Sequence, residues 1–216
     1  PNELYVQQLN LCQSRPYGLT TEWPVRVPMT RSVPLFLFLY LDCLMGWAAF
    51  YPWRAGGHPE YMLAKGFAIG MTPGITPASP IPGDAANAAY RETMARFMRA
   101  YSTYANEYLV AGRMLRSLPL DLPSRTLDLG QYGETIVAAV SHGAWGLADG
   151  RIGVVFANPE PEAHAIEANW SDIQGAPRSA AAFWITPEGE TAVAPDAAGR
   201  LRATVPPRTL ALLEIR

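Results

Sequence analysis

The chain has 216 residues, of which 49% are hydrophobic and 17% charged, which excludes a disordered polyelectrolyte and allows one large domain or two small ones. A formal net charge of -2 gives no electrostatic footprint for nucleic acid or for an anionic membrane surface. Lys65 is the single lysine among many scattered arginines, a bias we read as genome composition.

Cys12 and Cys43 are the only cysteines and do not form a CxxC pair, so no zinc or redox motif is present. Two cysteines leave the redox compartment open. The chain opens at Pro1 without a Met, a basic n-region or a signal peptide, and is expected to be a piece of a longer protein.

In chain order, Leu4, Gln8 and Leu11 fall at helical spacing and predict a short helix over 2–13, with Asn2 as a candidate cap. Residues 16–31 read as a loop, punctuated by Pro16, Gly18, Pro24 and Pro28. Then comes the run Val33-Pro34-Leu35-Phe36-Leu37-Phe38-Leu39-Tyr40-Leu41, which stops at Asp42. It is too continuous for a half-exposed strand, and predicts a strand buried on both faces as in a parallel sheet covered by helices. From Val33 to Trp53 the only charge is Asp42, and the 21-residue window is long enough for a membrane helix. Pro34, Gly46, Pro52 and a carboxylate at mid-depth argue against it, and no lysine or arginine asymmetry flanks the stretch.

Behind the run lie Trp47, Tyr51, Trp53, Arg54 and His58, mixed with glycines. A buried strand, a terminal carboxylate and an aromatic loop together suggest the ligand-binding rim of an α/β barrel. Trp47, Tyr51 and Trp53 offer flat apolar surfaces there, with Arg54 and His58 as polar partners. Asp42 could equally cap or salt-bridge the turn after a core strand. His58, ahead of Pro59, could be a loop cap.

Pro59 and Glu60 open a predicted helix over 59–65, with Gly66 ending it. Residues 67–71 read as the next parallel strand, and the proline-rich 72–85 as a long, functional loop. Over 87–116, Met94, Phe97, Met98, Tyr101, Tyr108 and Leu109 share one face of a long helix, with Arg91, Glu92 and Arg96 opposite. Pro119 and Pro123 then mark a linker over 119–125. Beyond it the hydrophobic period becomes two, as in Ile152, Val154 and Phe156, with Asp149-Gly150, Asn158-Pro159 and Pro206-Pro207 as turns. Short strands at this spacing predict an antiparallel β-sandwich over 126–216.

The order of elements, together with Pro1-Asn2-Glu3-Leu4-Tyr5, the 33–42 run, Gly150 to Asn158 and Val205-Pro206-Pro207-Arg208-Thr209, resembles the C-terminal part of a glycoside-hydrolase-like (β/α) barrel protein. The likeness is to a poorly characterised bacterial group classed with carbohydrate-active enzymes. It covers nearly the whole chain through loose motifs. In that group the segment like Tyr40-Leu41-Asp42 often reads Tyr-His-Asp, so Leu41 is a departure. The resemblance implies an α/β plus all-β fold: 1–118 as the last part of a barrel, a linker, and 126–216 as the sandwich.

Glycosidic hydrolysis takes two carboxyl groups, and on a barrel they sit at the C-terminal ends of strands. Asp42 and Glu3 are the candidates, although Glu3 is more readily explained by first-turn helix stabilisation. The expected partner is a carbohydrate, with no nucleic acid and no membrane. The rest of the barrel would come from a missing N-terminal half or from another chain. No cofactor and no metal are expected, because no phosphate loop, nucleophile elbow or ligand cluster is present. A non-catalytic carbohydrate-binding or scaffolding module is the alternative.

Overall fold

The computed structural model describes residues 47–49, 59–70, 72–74, 88–128 and 134–216. Among them the architecture is mostly antiparallel sheet with few helices, and one parallel pair near the start. Strand β1 (Trp47–Ala49) pairs in parallel with β2 (Thr72–Gly74), in the register Trp47↔Thr72. Helix α1 (Pro59–Ala68) connects them, so the three form a β-α-β unit. The strand predicted over 33–41 and the helix predicted over 2–13 lie outside the described residues.

The boundaries around α1 differ from those the sequence suggests. Gly66 does not stop α1, and the apolar residues Phe67 and Ala68 extend the helix rather than start a strand. Both are buried, Phe67 at 1% exposure. The helix stops at Gly70, whose φ of 77° is left-handed and whose N–H donates to the Phe67 carbonyl. The paired strand therefore begins at Thr72, inside the stretch predicted to be loop.

Helix α2 (Ala88–Ala100) continues without a break through two π-helical turns, Tyr101–Ala105 and Glu107–Ala111, to an extended Gly112. Thus the helix ends earlier than the predicted 116. The stripe Tyr90, Thr93, Met94, Phe97, Ala100, Ala105, Tyr108 and Leu109 is buried. Met98, predicted to be in it, is 37% exposed because it lies one residue off that line.

A six-stranded antiparallel sheet follows in the order β10-β9-β12-β7-β6-β3. Its members are β3 (Arg113–Met114), β6 (Ser141–Gly146), β7 (Ile152–Asn158), β9 (Ala182–Thr186), β10 (Gly189–Val193) and β12 (Thr209–Ile215). Two further pairs are β4 (Ser124–Asp128) with β5 (Glu134–Ala138), and β8 (His164–Asn169) with β11 (Arg200–Val205).

Central strands β7 and β12 are buried along their whole length, and their alternation divides two cores. Val155, Ala157, Leu210 and Leu212 meet the helical layer of Leu63, Phe67, Met94 and Phe97. Val154, Phe156, Ala211 and Leu213 meet Ile166 and Ala168 of β8 and Leu201 and Val205 of β11. In β5 the buried face is that of Val137 rather than Ile136. Val137 is buried and packs with Leu127 and Tyr61, whereas Ile136 is 52% exposed.

Helix α1 and strand β6 touch where β6 has no side chain. A Cβ at Gly143 would lie 2.0 Å from the Ala68 carbonyl oxygen, a backbone atom that cannot swing aside. Gly143→Ala is therefore expected to lower stability by about 1–3 kcal/mol, measured by urea denaturation. An unchanged midpoint would mean that α1 does not dock there.

Candidate functional site

The sequence reading places the site at the C-terminal end of the strand predicted over 33–41, which lies outside the described residues, and the described elements nearest to it in sequence are β1 and β2. Because β1 and β2 run the same way, the chain leaves both strands, after Ala49 and after Gly74, at one end of the pair. Trp47, expected in an aromatic loop, instead opens β1 and pairs with Thr72. Glu3, Asp42, Tyr51, Trp53, Arg54 and His58 lie outside the described residues.

Two polar clusters within the described residues escaped the sequence reading. The first is built on Glu214 of β12, which is 4% exposed and points toward the helical layer. The Tyr108 hydroxyl donates to its Oε1 at 2.5 Å, and Arg151 Nη1 lies 3.4 Å from the same oxygen. Arg216 holds Oε2 and reaches on to Glu190 with two bonds of 2.9 and 3.1 Å. Its guanidinium also covers the Phe183 ring, 4.4 Å from the centroid. Arg151 binds Glu107 of the helix and Asp149 of the β6–β7 turn.

Gly153, cross-strand neighbour of Glu214, makes this geometry possible. A Cβ there would sit 2.5 Å from the Tyr108 ring, so only a glycine lets the ring lie against the sheet. Burial first, then the bond to Glu214, pushes the Tyr108 hydroxyl above the ordinary tyrosine range. Tyr108 is therefore a fixed donor rather than a group that exchanges protons. With two arginines and a hydroxyl on one carboxylate, this cluster clamps the helix to the sheet and leaves no acid poised for catalysis.

The second cluster lies at the opposite end of β7. Asn158 is 0% exposed; its Nδ2 donates to the carbonyls of Glu162 at 2.8 Å and Pro206 at 2.9 Å. Its Oδ1 accepts from the Glu160 N–H at 2.9 Å. Glu160, 4% exposed, is gripped by Arg125 of β4 through bonds of 3.0 and 2.5 Å, which tie the β4–β5 hairpin to the sheet. Burial, with Glu162 beside it, pushes the Glu160 carboxyl up, and the Arg125 fork opposes that shift. Arg208, held at a φ of 47°, donates to the Glu160 carbonyl through its N–H and pairs with Glu92 of α2. These groups are also structural: each bond spans a turn or joins two layers.

Among the described residues, no group of three His, Cys, Asp or Glu side chains is placed to hold a metal ion. Among them, too, no helix is long and apolar enough to cross a membrane.

No protein-family model matches the chain, and no curated protein matches it. Among solved structures, it is similar to a GH30 endoxylanase from Clostridium papyrosolvens C71, at 16% identity and a TM-score of 0.29 over 36% of this chain. It is similar to α-galactosidase I from Mortierella vinacea, at 12% identity and 0.40 over 79%. The noncanonic maltogenic α-amylase AmyB from Thermotoga neapolitana is matched at 14% identity and 0.36 over 94%. The chain spans 20%, 39% and 39% of these three proteins, all of them glycoside hydrolases.

Proposed function

We propose that the chain is the C-terminal part of a carbohydrate-active enzyme that hydrolyses glycosidic bonds with two carboxyl groups. The observation that carries this reading is the parallel β1-α1-β2 unit ahead of a long helix and an antiparallel sheet. A β-α-β unit is the building block of a barrel, and barrels keep their chemistry at the C-terminal ends of the strands. The aromatic stretch with Tyr51, Trp53, Arg54 and His58 follows β1 directly in sequence. In this reading 1–118 belongs to the barrel and 126–216 is the appended sandwich. Asp42 and Glu3 supply carboxyl groups, Trp47, Tyr51 and Trp53 stack on sugar, and Arg54 and His58 bind hydroxyls. The remaining barrel strands, from an N-terminal segment or a second chain, complete the site.

The test is release of reducing sugar from a panel of oligosaccharides by the longest protein that contains this chain. Asp42→Asn is expected to cut turnover on the order of 10²–10⁴-fold with the melting temperature unchanged. Wild-type turnover in the variant would remove Asp42 from the mechanism. Oligosaccharide binding without any hydrolysis by the wild type would favour a non-catalytic carbohydrate-binding module.

A further inference from the structure

The β4–β5 hairpin is carried to one particular end of the β1-α1-β2 unit. Only residues 69–71 separate the end of α1 from the start of β2, so the C-terminal end of α1 lies where β2 begins. The first turn of α1 therefore lies toward the opposite end of the parallel pair. That is the end at which the chain leaves β1 after Ala49, and from which the aromatic stretch of the proposed sugar site departs in sequence.

Two contacts fix the direction of α1 against the strands. At its C-terminal end the Ala68 carbonyl lies against Gly143 of β6, and in its first turn Tyr61 packs on Leu127 and Val137 of the hairpin. Going back along the chain from Gly143 to Val137 thus follows α1 from its end to its start. The hairpin continues in the same direction. At its base Ala139 N–H donates to the Pro123 carbonyl at 2.7 Å, and Asp128↔Glu134 is the pair farthest from that base. Glu134 precedes Val137 by three residues of strand, about 10 Å, which takes it past the first turn of α1 to the rim end of the unit.

The chemistry at this end of the hairpin differs from that at its base. Near the base, Glu160 and Glu162 are both engaged by Arg125. Glu134 is exposed and, among the described residues, has no hydrogen bond or ion pair. Ile136 shares its face of the strand, is 52% exposed, and stands opposite the exposed Thr126. An aliphatic side chain flanked by a hydroxyl and an unpaired carboxylate matches a sugar ring, whose C–H faces are edged by hydroxyl donors. We propose that the hairpin forms a distal wall of the sugar site. Glu134 accepts hydrogen bonds from sugar hydroxyls, and Ile136 packs on a sugar face remote from the bond that is cut. This inference rests on the reading of the chain as part of a carbohydrate-active enzyme, and it makes the appended sheet a determinant of preference for oligosaccharide length.

Binding and hydrolysis of short and long oligosaccharides, by the longest protein that contains this chain, test the wall. Glu134→Ala removes a charged acceptor and should weaken binding of the long oligosaccharides about tenfold, raising KM alike, with kcat and melting temperature unchanged. Ile136→Ala should act in the same direction by a smaller factor. Both variants should treat the short oligosaccharides as the wild type does. Glu188→Ala removes an exposed carboxylate from the turn between β9 and β10 and should match the wild type throughout. A wild type that hydrolyses the long oligosaccharides, with Glu134→Ala equal to it, overturns the wall and leaves the hydrolytic reading standing. A loss shared by Glu188→Ala, or equal on short and long oligosaccharides, also overturns the wall. A wild type that binds without hydrolysis, with binding lost in Glu134→Ala, supports the wall and overturns the hydrolytic reading. Neither binding nor hydrolysis by the wild type overturns both.

Discussion

Phe97→Ala is expected to lower the unfolding free energy by about 3–5 kcal/mol. Phe97 is 0% exposed and sits where α1, α2 and the sheet converge. Its ring meets the Phe67 ring edge-on, with centroids 5.6 Å apart at 80°, and Phe67 in turn meets Tyr101 at 5.7 Å. Truncation removes the buried area and leaves a cavity that two helices and a sheet cannot close, since each is fixed by its other contacts. The neighbouring Met98→Ala, on a side chain 37% exposed, should cost under about 1 kcal/mol. Urea denaturation of both variants separates the two positions. Equal losses would mean that the helix presents a different face to the sheet.

Asn158→Asp should be comparably damaging, at about 3–5 kcal/mol near neutral pH. The amide orientation is unambiguous, because Oδ1 faces an N–H and Nδ2 faces the carbonyls of Glu162 and Pro206. A carboxylate would turn oxygen toward those carbonyls at a site with 0% exposure. Burial and the carbonyl dipoles both raise the pKa of the introduced group in the folded state above its unfolded value of about 4. The penalty is therefore smallest below that value, where the group is protonated in both states and keeps one donor. It grows as pH rises through the raised folded pKa. Denaturation midpoints compared with wild type at pH 4 and pH 7 check the sign; a penalty that shrinks as pH rises would contradict this environment.

The β8–β11 pair was legible because period two survives in both of its strands. Ile166 and Ala168 are buried while Ala165, Glu167 and Asn169 are exposed, as their alternation implies. Leu201 and Val205 behave the same way. Strand β10 was not legible: Gly189–Val193 faces solvent along most of its length and so has no apolar alternation to read. Strands β1, β2 and β3, of three, three and two residues, are shorter than any periodic signal.

In the helical region, local rules competed with packing and lost. Gly66 looked like a stop, yet burial of Phe67 and Ala68 carried α1 on to Gly70, where a left-handed residue was required. The π turns at Tyr101 and Glu107 leave no mark in composition, although they accompany the reach of Tyr104 to the Leu210 carbonyl and of Tyr108 to Glu214. Clusters such as Tyr108 with Glu214 join residues 106 positions apart, a separation at which single-sequence patterns carry no information. The residues chosen for the sugar site rest on the resemblance and on the position of Asp42 after an apolar run.

The strand order β10-β9-β12-β7-β6-β3 also fixes a sequence of events during synthesis. Strand β12 is the last of the six to be made, yet it fills the slot between β9 and β7, with Leu212 opposite both Val155 and Ile185. Until residues 209–215 are available, the β9–β10 hairpin has no bond to the β3-β6-β7 half of its sheet. The inner edges of β7 and β9 stay open over that interval, and β7, with its apolar run Val154-Val155-Phe156, is paired so far only with β6. Such an interval favours pairing with other unfinished chains, so the yield of folded protein should depend on how quickly the segment from Thr209 to Ile215 docks.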